Sequence, residues 1–163
     1  MKYLITGGSG FIGSAMVRHI IKSSDNQVVN IDSLTYASNL EAIDEIKDSS
    51  RYIFENVDIC DKQKIEEIFY KHKPDYILHF AAESHVDNSI SEPEVFIETN
   101  VFGTYSLLMN ATKYYESLEG ERKKIFRFLH VSTDEVYGDL TDDDSLFNEN
   151  TKYAPSSPYS ASK

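Results

Sequence analysis

The chain has 163 residues, 40% of them hydrophobic, and sets 27 acidic against 16 basic side chains for a formal net charge of −11. That is one domain's worth of sequence, able to bury ~70% of its extended surface, and the 11 Tyr and 9 Phe spread along it exclude a disordered acidic tail. The charge weighs against a nucleic-acid surface, because binding phosphates depends on clustered Lys and Arg releasing counterions. The densest basic run, Arg122-Lys123-Lys124, reads as a solvated turn before a strand. No apolar run approaches the ~20 residues of a membrane span. The N-terminus enters structure at Met1-Lys2-Tyr3-Leu4-Ile5 without a signal-peptide cleavage pattern, so the reading is a cytoplasmic protein with no membrane partner. The single cysteine, Cys60, excludes an internal disulfide, and the histidines at 19, 72, 79, 85 and 130 form no His-x-x-x-His pair, so no metal site is expected.

Short apolar runs alternate with helical patterns. Lys2 to Thr6 reads as a buried strand and Phe11 to Ile21 as a helix whose apolar face is Phe11, Ile12, Ala15, Met16, His19 and Ile20. Gln27 to Ile31 and Arg51 to Val57 are the second and third strands. Asp61 caps a helix over Lys62 to His72, with Ile65, Ile68, Phe69 and His72 on one face and Pro74 ending it. Tyr76 to Ala81 is the fourth strand, Pro93 opens one long helix to about Leu118, and Phe126 to Ser132 is the fifth strand. His79 and His130 lie inside strands and read as satisfied core residues. Asp139 to Asn150 is an acidic, turn-rich surface loop. Strands spaced by helices imply parallel pairing and right-handed crossovers, hence a doubly wound, Rossmann-like α/β sheet covered on both faces. Ligands sit outside the carboxyl ends of such strands. Pro158 to Lys163 looks like the first turn of a helix, too short to persist alone. The reading is therefore one dinucleotide-binding domain over residues 1–163, with a substrate part expected C-terminal to it.

Gly7-Gly8-Ser9-Gly10-Phe11-Ile12-Gly13 follows the first strand and opens the first helix. It satisfies Gly-x-x-Gly-x-x-Gly from Gly7 and Gly-x-Gly-x-x-Gly from Gly8. Such a turn brings backbone amides and a helix N-terminus up to a pyrophosphate. Gly7, Gly10, Phe11, Ile12 and Gly13 are the candidate contacts. Asp32 lies 19 residues past Gly13 at the end of the second strand, followed by Ser33, Leu34 and Thr35. A carboxylate there accepts from an adenosine ribose and repels a 2′-phosphate, and no Arg or Lys follows until Lys47, so NAD is preferred over NADP. The plainer alternative is that Asp32 merely starts a turn. Asp58 and Ile59 end the third strand, with Asp58 placed to meet an adenine amine, and Phe80, Ala81 and Ala82 end the fourth with small side chains where a dinucleotide can lie.

The fifth strand runs into Ser132-Thr133-Asp134-Glu135-Val136-Tyr137-Gly138, and the chain finishes Tyr159-Ser160-Ala161-Ser162-Lys163. On a helix Tyr159 and Lys163 are neighbours at i and i+4. An ammonium beside a phenol is expected to lower the tyrosine pKa toward a usable general base. Adjacent Asp134 and Glu135 suit an acid and a base, since like charge and partial burial separate their pKa values. On a regular strand the two would point to opposite faces, so these roles require the backbone to leave strand geometry at Thr133. The alternative for the pair is a solvated turn that caps a helix.

Gly7 to Gly13 with Tyr159 and Lys163 resembles the extended branch of the short-chain dehydrogenase/reductase superfamily. More narrowly, four segments are similar to the dTDP-glucose 4,6-dehydratase family. They are Leu34-Thr35-Tyr36-Ala37-Ser38-Asn39-Leu40, Ala81-Ala82-Glu83-Ser84-His85-Val86-Asp87, Ser132 to Gly138, and Tyr153 to Lys163. The resemblance covers the whole chain but about the N-terminal half of a typical member. It implies NAD as cofactor, dTDP-glucose as substrate and a homodimer. It also implies a cycle in which Tyr159, activated by Lys163, and Thr133 serve oxidation at carbon 4. Glu135 then acts as base at carbon 5, and Asp134 as acid at carbon 6. Ser84 and His85 are implied near substrate or nicotinamide, and Thr99 and Asn100 in a helix facing the cofactor; read without it, His85 is a loop histidine and Thr99 and Asn100 are ordinary helix polarity. After Val86-Asp87 the family commonly has a basic residue where this chain has Asn88, which puts a diphosphate contact there in question. The competing readings are a sugar-nucleotide 4-epimerase or decarboxylase, against which the Asp134-Glu135 pair argues, and a nonenzymatic NAD-sensing module. The 163 residues by themselves are expected to turn over little.

Overall fold

In the computed structural model, which describes residues 1–140 and 146–163, the apolar runs form five strands. They are β1 (Lys2–Thr6), β2 (Gln27–Asp32), β3 (Tyr52–Asn56), β4 (Tyr76–His79) and β5 (Arg127–His130). All pair in parallel in the order β3-β2-β1-β4-β5, with Leu4 opposite Val29 on one side and Ile77 on the other. This is the doubly wound, Rossmann-like sheet expected from the alternation of strands and helices. The strand order reverses between β1 and β4. β4 stops earlier than expected: Phe80 N–H still reaches the Thr6 carbonyl, but Ala81 N–H bonds the Thr6 hydroxyl instead of a strand carbonyl.

The chain divides into two compact units, Met1–Ala81 with Gly103–Val131, and Ala82–Phe102 with Ser132–Lys163. The sheet belongs to the first, and side-chain alternation along its strands builds a core on each face. Leu4, Ile31 and Ile77 pack with Ile65, Ile68 and Phe69 of α2 (Lys62–His72) and with Leu107, Ala111 and Tyr114 of α5 (Thr104–Glu116). Ile5, Val28 and Leu78 pack on the opposite face with Val17, Ile20 and Ile21 of α1 (Phe11–Ser23) and with Ile43 and Ile46. Asp61 caps α2 by accepting from Lys64 N–H, and Lys73 closes it in a left-handed conformation just before Pro74. His79 is fully buried with its ring nitrogens on the Thr6 and Thr104 hydroxyls, at 2.6 and 2.8 Å, and lies against the half-buried His130 ring.

Three local expectations are corrected. The buried face of α1 is Gly13, Ser14, Val17, Ile20 and Ile21, whereas Phe11, Ile12, Ala15 and His19 are exposed and Met16 is half-buried. The glycine turn sets the helix phase so that its smallest residues approach the sheet. The basic run lies on a short helix, α6 (Gly120–Ile125), where Arg122 reaches Asp75 at 3.5 Å, Lys123 covers the Tyr115 ring and Lys124 pairs with Glu121. The long helix from Pro93 is interrupted. It comprises α4 (Pro93–Phe96), a π-helical stretch over Ile97–Gly103, and α5. Thr99 and Gly103 are weak helix formers, and the Asn100 side chain bonds elsewhere.

The second unit also holds α3 (Val86–Ser91), a 3₁₀ turn at Asp134–Tyr137 and α7 (Pro158–Ser162). A reciprocal capping box between Ser157 and Ser160, with Pro158 at the first helical position, starts α7. Buried Phe96 meets the Tyr159 ring edge-on, at 6.4 Å between centroids. Tyr137 stacks between Phe147 and Tyr153. Part of the acidic 139–150 loop, residues 141–145, lies outside the described residues.

Candidate active site

The nucleotide-binding candidates in the first unit gather at the carboxyl ends of β1, β2 and β3. Gly7 adopts a left-handed φ of 69°, and a Cβ there would lie 2.7 Å from Ala81 N. At Gly13 a Cβ would lie 2.1 Å from the Gly7 carbonyl oxygen. These are backbone obstacles, so the turn admits no side chain at either position. Gly10 begins α1 without a side-chain cap, and the two residues that follow, Phe11 and Ile12, are exposed. The helix start is thus open to an anion that would take its first-turn amides.

Asp32 is nearly buried at the end of β2. One carboxylate oxygen accepts from Ser9 N–H at 2.9 Å, and the other from Leu34 N–H at 2.9 Å and the Ser38 hydroxyl at 2.8 Å. It therefore both starts the turn, in which Leu34 takes a φ of 57°, and braces the glycine loop. Ser33 and Thr35 are exposed. Two residues earlier on β2, Asn30 donates to the Ser9 hydroxyl and the Tyr52 phenol, with its Oδ1 2.2 Å from where a Gly8 Cβ would stand. Sequence reasoning missed Asn30, although a fully buried amide inside an apolar strand is a signal that something polar must meet it. Asp58 is exposed and accepts from Cys60 N–H. Ile59 spends its side chain in packing beside Gly103. Phe80 packs at the edge of the α1-side core, and Ala81 closes over Gly7.

In the second unit the candidate catalytic groups occupy two short turns. The backbone leaves strand geometry one residue later than expected: Thr133 remains extended and Asp134–Tyr137 coil into the 3₁₀ turn. The Thr133 hydroxyl caps this turn, accepting from Glu135 N–H at 3.3 Å and donating to Asp134 at 3.3 Å. Asp134 is exposed and Glu135 half-buried. Burial raises the Tyr159 pKa above its ordinary value; a hydrogen bond with Thr133 lowers it in part, and the Glu135 and Asp134 charges raise it again. The expectation of a lowered phenol is thus overturned. Burial disfavours the charge of Lys163 and lowers its pKa. The Ser132 hydroxyl holds the Lys163 carbonyl.

Ser84 and His85 are exposed, and His85 precedes α3 without capping it through its side chain. Ala82 and Thr99 are half-buried. Asn88 is exposed within α3, where its carbonyl accepts from Glu92 N–H and the Ser91 hydroxyl. Among the described residues no cluster of three or more His, Cys, Asp or Glu is arranged to hold a metal, and no helix is long and apolar enough to cross a membrane.

A family model described as GDP-mannose 4,6 dehydratase matches residues 4–163. The chain is 59% identical over 171 residues to a dTDP-glucose 4,6-dehydratase of Salmonella typhimurium and 58% identical to one of Shigella flexneri, in each case over 100% of this chain and 47% of the relative. It thus spans about half the length of the curated relatives it matches. Among solved structures, the dTDP-glucose 4,6-dehydratase DesIV of Streptomyces venezuelae, with NAD and TYD bound, superposes with a TM-score of 0.88 at 40% identity, covering 100% of this chain and 48% of that one. A UDP-glucose 4-epimerase of Thermotoga maritima, with UDP-glucose, gives 0.82 at 31% identity over 100% and 48%.

Proposed function

Because the chain belongs to the GDP-mannose 4,6 dehydratase family, we propose that the protein carrying it is a cytoplasmic, NAD-dependent lyase that dehydrates dTDP-glucose to dTDP-4-keto-6-deoxyglucose. Residues 1–163 are its NAD-binding domain together with its catalytic segments. The substrate follows that of the relatives at 58 and 59% identity, which are dTDP-glucose 4,6-dehydratases. The observation that supports the chemistry is the turn at 133–135, where the Thr133 hydroxyl donates to Asp134 and accepts from Glu135 N–H.

The first unit fits NAD by its Cβ-free turn and uncapped helix start. Gly7, Gly10, Phe11, Ile12 and Gly13 would hold the pyrophosphate and Asp32 the adenosine ribose, with Ser33, Leu34, Thr35, Asp58, Ile59, Phe80, Ala81, Ala82 and Thr99 as further contacts. Tyr159 and Lys163 would stand near the nicotinamide. When bound, NAD would supply the acceptor for the hydride leaving carbon 4 and the donor for its return at carbon 6. Tyr159 accepts the carbon-4 hydroxyl proton while Thr133 hydrogen-bonds that oxygen, leaving a ketone. The ketone acidifies the carbon-5 hydrogen, which Glu135 removes. Asp134, protonated, gives its proton to the departing carbon-6 hydroxyl, and water leaves. Reduction at carbon 6 is completed by a proton returned to carbon 5. Ser84 and His85 bind the sugar nucleotide.

A homodimer is part of the proposal. On α5, Tyr105, Leu108 and Met109 are exposed on the side away from Leu107, Ala111 and Tyr114, an apolar stripe suited to a second copy of the chain.

The test is the complete protein with dTDP-glucose and catalytic NAD. A 4-keto-6-deoxy sugar, detected by its absorbance in alkali without net NADH, supports the closed cycle. A galactose epimer without keto sugar makes the protein an epimerase and removes the acid and base roles from Asp134 and Glu135.

A further inference from the structure

Asn100 lies in the middle of the π-helical stretch and is 3% exposed. A buried amide must satisfy its own hydrogen bonds. Its Oδ1 accepts from Glu83 N–H at 2.8 Å and its Nδ2 donates to the Glu83 carbonyl at 2.9 Å, so one side chain reads both backbone groups of one residue as a neighbouring strand would. The second Nδ2 hydrogen goes to the Ser162 hydroxyl at 2.8 Å, and that hydroxyl donates onward to the Tyr159 carbonyl at 2.7 Å. Both amide hydrogens are used, and the direction of every bond is fixed by the carbonyls at its two ends. Glu83 immediately precedes Ser84 and His85. A continuous chain of bonds therefore runs from the segment bearing the candidate substrate residues to the turn bearing Tyr159. π-Helical turns recur at functional sites because they reorient single side chains.

We infer that Asn100 is a positioning residue whose amide locks the Glu83-Ser84-His85 segment to the Tyr159 turn through Ser162, so that substrate contacts and the general base keep one registration. The inference rests on the assignment of Tyr159 as base under the proposed function. An aspartate at 100 is nearly isosteric but meets the Glu83 carbonyl with a second acceptor, so Asn100→Asp breaks the lock without emptying the space.

The complete protein is compared as wild type, Asn100→Ala, Asn100→Asp, Ser162→Ala and Ser162→Thr. At saturating substrate both Asn100 variants lower kcat about 10- to 100-fold, as misplacement of a reacting group does, with KM for dTDP-glucose within about threefold of wild type. The basic limb of the pH–rate profile moves with them. Ser162→Ala repeats the loss in kcat, Ser162→Thr restores it, and Asn100→Ala combined with Ser162→Ala is no slower than Asn100→Ala alone, as members of one chain of bonds require. A lowered Tm with unchanged kcat and pH profile overturns the inference. Should the Asn100 variants fail to fold, the Ser162 pair decides by the same criteria. If the wild type forms no keto sugar, the proposed function fails separately. The ζ-carbon resonance of 13C-labelled Tyr159, assigned by its loss in Tyr159→Phe, then decides whether Asn100 still sets the environment of that phenol: a changed titration in Asn100→Ala upholds the lock and an unchanged one overturns it.

Discussion

The glycine turn of the first unit and the Thr133–Glu135 turn of the second are both tight connections, held by opposite means. At Gly13 and Gly7 the neighbours of an absent Cβ are backbone atoms, so the conformation is set by exclusion. At 133–135 the conformation is set by attraction, with one hydroxyl shared between Glu135 N–H and Asp134. A turn shaped by exclusion tolerates no added atom, whereas a turn shaped by a hydroxyl tolerates any residue that brings the same hydroxyl.

The largest expected effect separates the two directly. Gly13→Ala in the complete protein drives a methyl into the Gly7 carbonyl, which cannot retreat without opening the turn. NAD affinity falls at least about 100-fold and stability falls by about 1–3 kcal/mol, checked by NAD titration and thermal unfolding. An affinity near wild type would show that the turn yields and would break the contrast. Next, with Glu135 as the proposed base, Glu135→Gln in the complete protein is expected to reduce keto-sugar formation about 10²- to 10⁴-fold while a single turnover still forms NADH, since the proposed oxidation at carbon 4 does not use Glu135. Thr133→Val comes third. It lowers kcat about tenfold and costs about 1 kcal/mol through the lost cap, whereas Thr133→Ser leaves both near wild type; equal damage from Val and Ser would mean that shape rather than the hydroxyl holds the turn.

Two smaller effects depend on pH. Burial, and then the Glu135 and Asp134 charges against the Thr133 bond, hold the Tyr159 phenol above its ordinary pKa. Neutralising either carboxylate removes a charge that opposes the phenolate, so phenolate absorbance should appear at lower pH in Glu135→Gln or Asp134→Asn than in the wild type. A shift to higher pH would contradict the described geometry. The smallest effect lies outside both turns. Burial raises the Glu55 pKa, but hydrogen bonds from Lys71 and His72 outweigh it and leave the carboxyl below its ordinary 4.5. A depressed acid stabilises the fold above its unfolded pKa, and that contribution is lost as pH falls through the folded pKa. Glu55→Gln should therefore cost about 1 kcal/mol at neutral pH and nothing in acid, read from denaturant midpoints at the two pH values.

What was legible in the sequence follows from how local each interaction is. The five strands, the Asp61 cap, the apolar face of α2 and the glycine motif depend on period, turn chemistry and the absence of a Cβ, all written in neighbouring residues. The departure from strand geometry near Thr133 was expected only from the roles proposed for the two carboxylates, and it begins at Asp134, since Thr133 itself stays extended. The phase of α1 was not legible, because the contact of Gly13 with Gly7 rather than the placing of large side chains decides which face meets the sheet. Nor was the break in the helix after Pro93, where Asn100 finds its partners 17 and 62 residues away.

By itself the sequence determined a parallel α/β sheet, a glycine turn that excludes side chains and the candidate acid, base and proton-acceptor residues, because these rest on periodicity and on side-chain chemistry. Only the tertiary structure decided the direction of the Tyr159 shift, the doubled bracing of Ser9 by Asn30 and Asp32, and the bridge from Glu83 to Tyr159. Burial and long-range hydrogen bonds belong to pairs of residues far apart in the chain, and a pattern read over a few neighbouring residues carries no record of them.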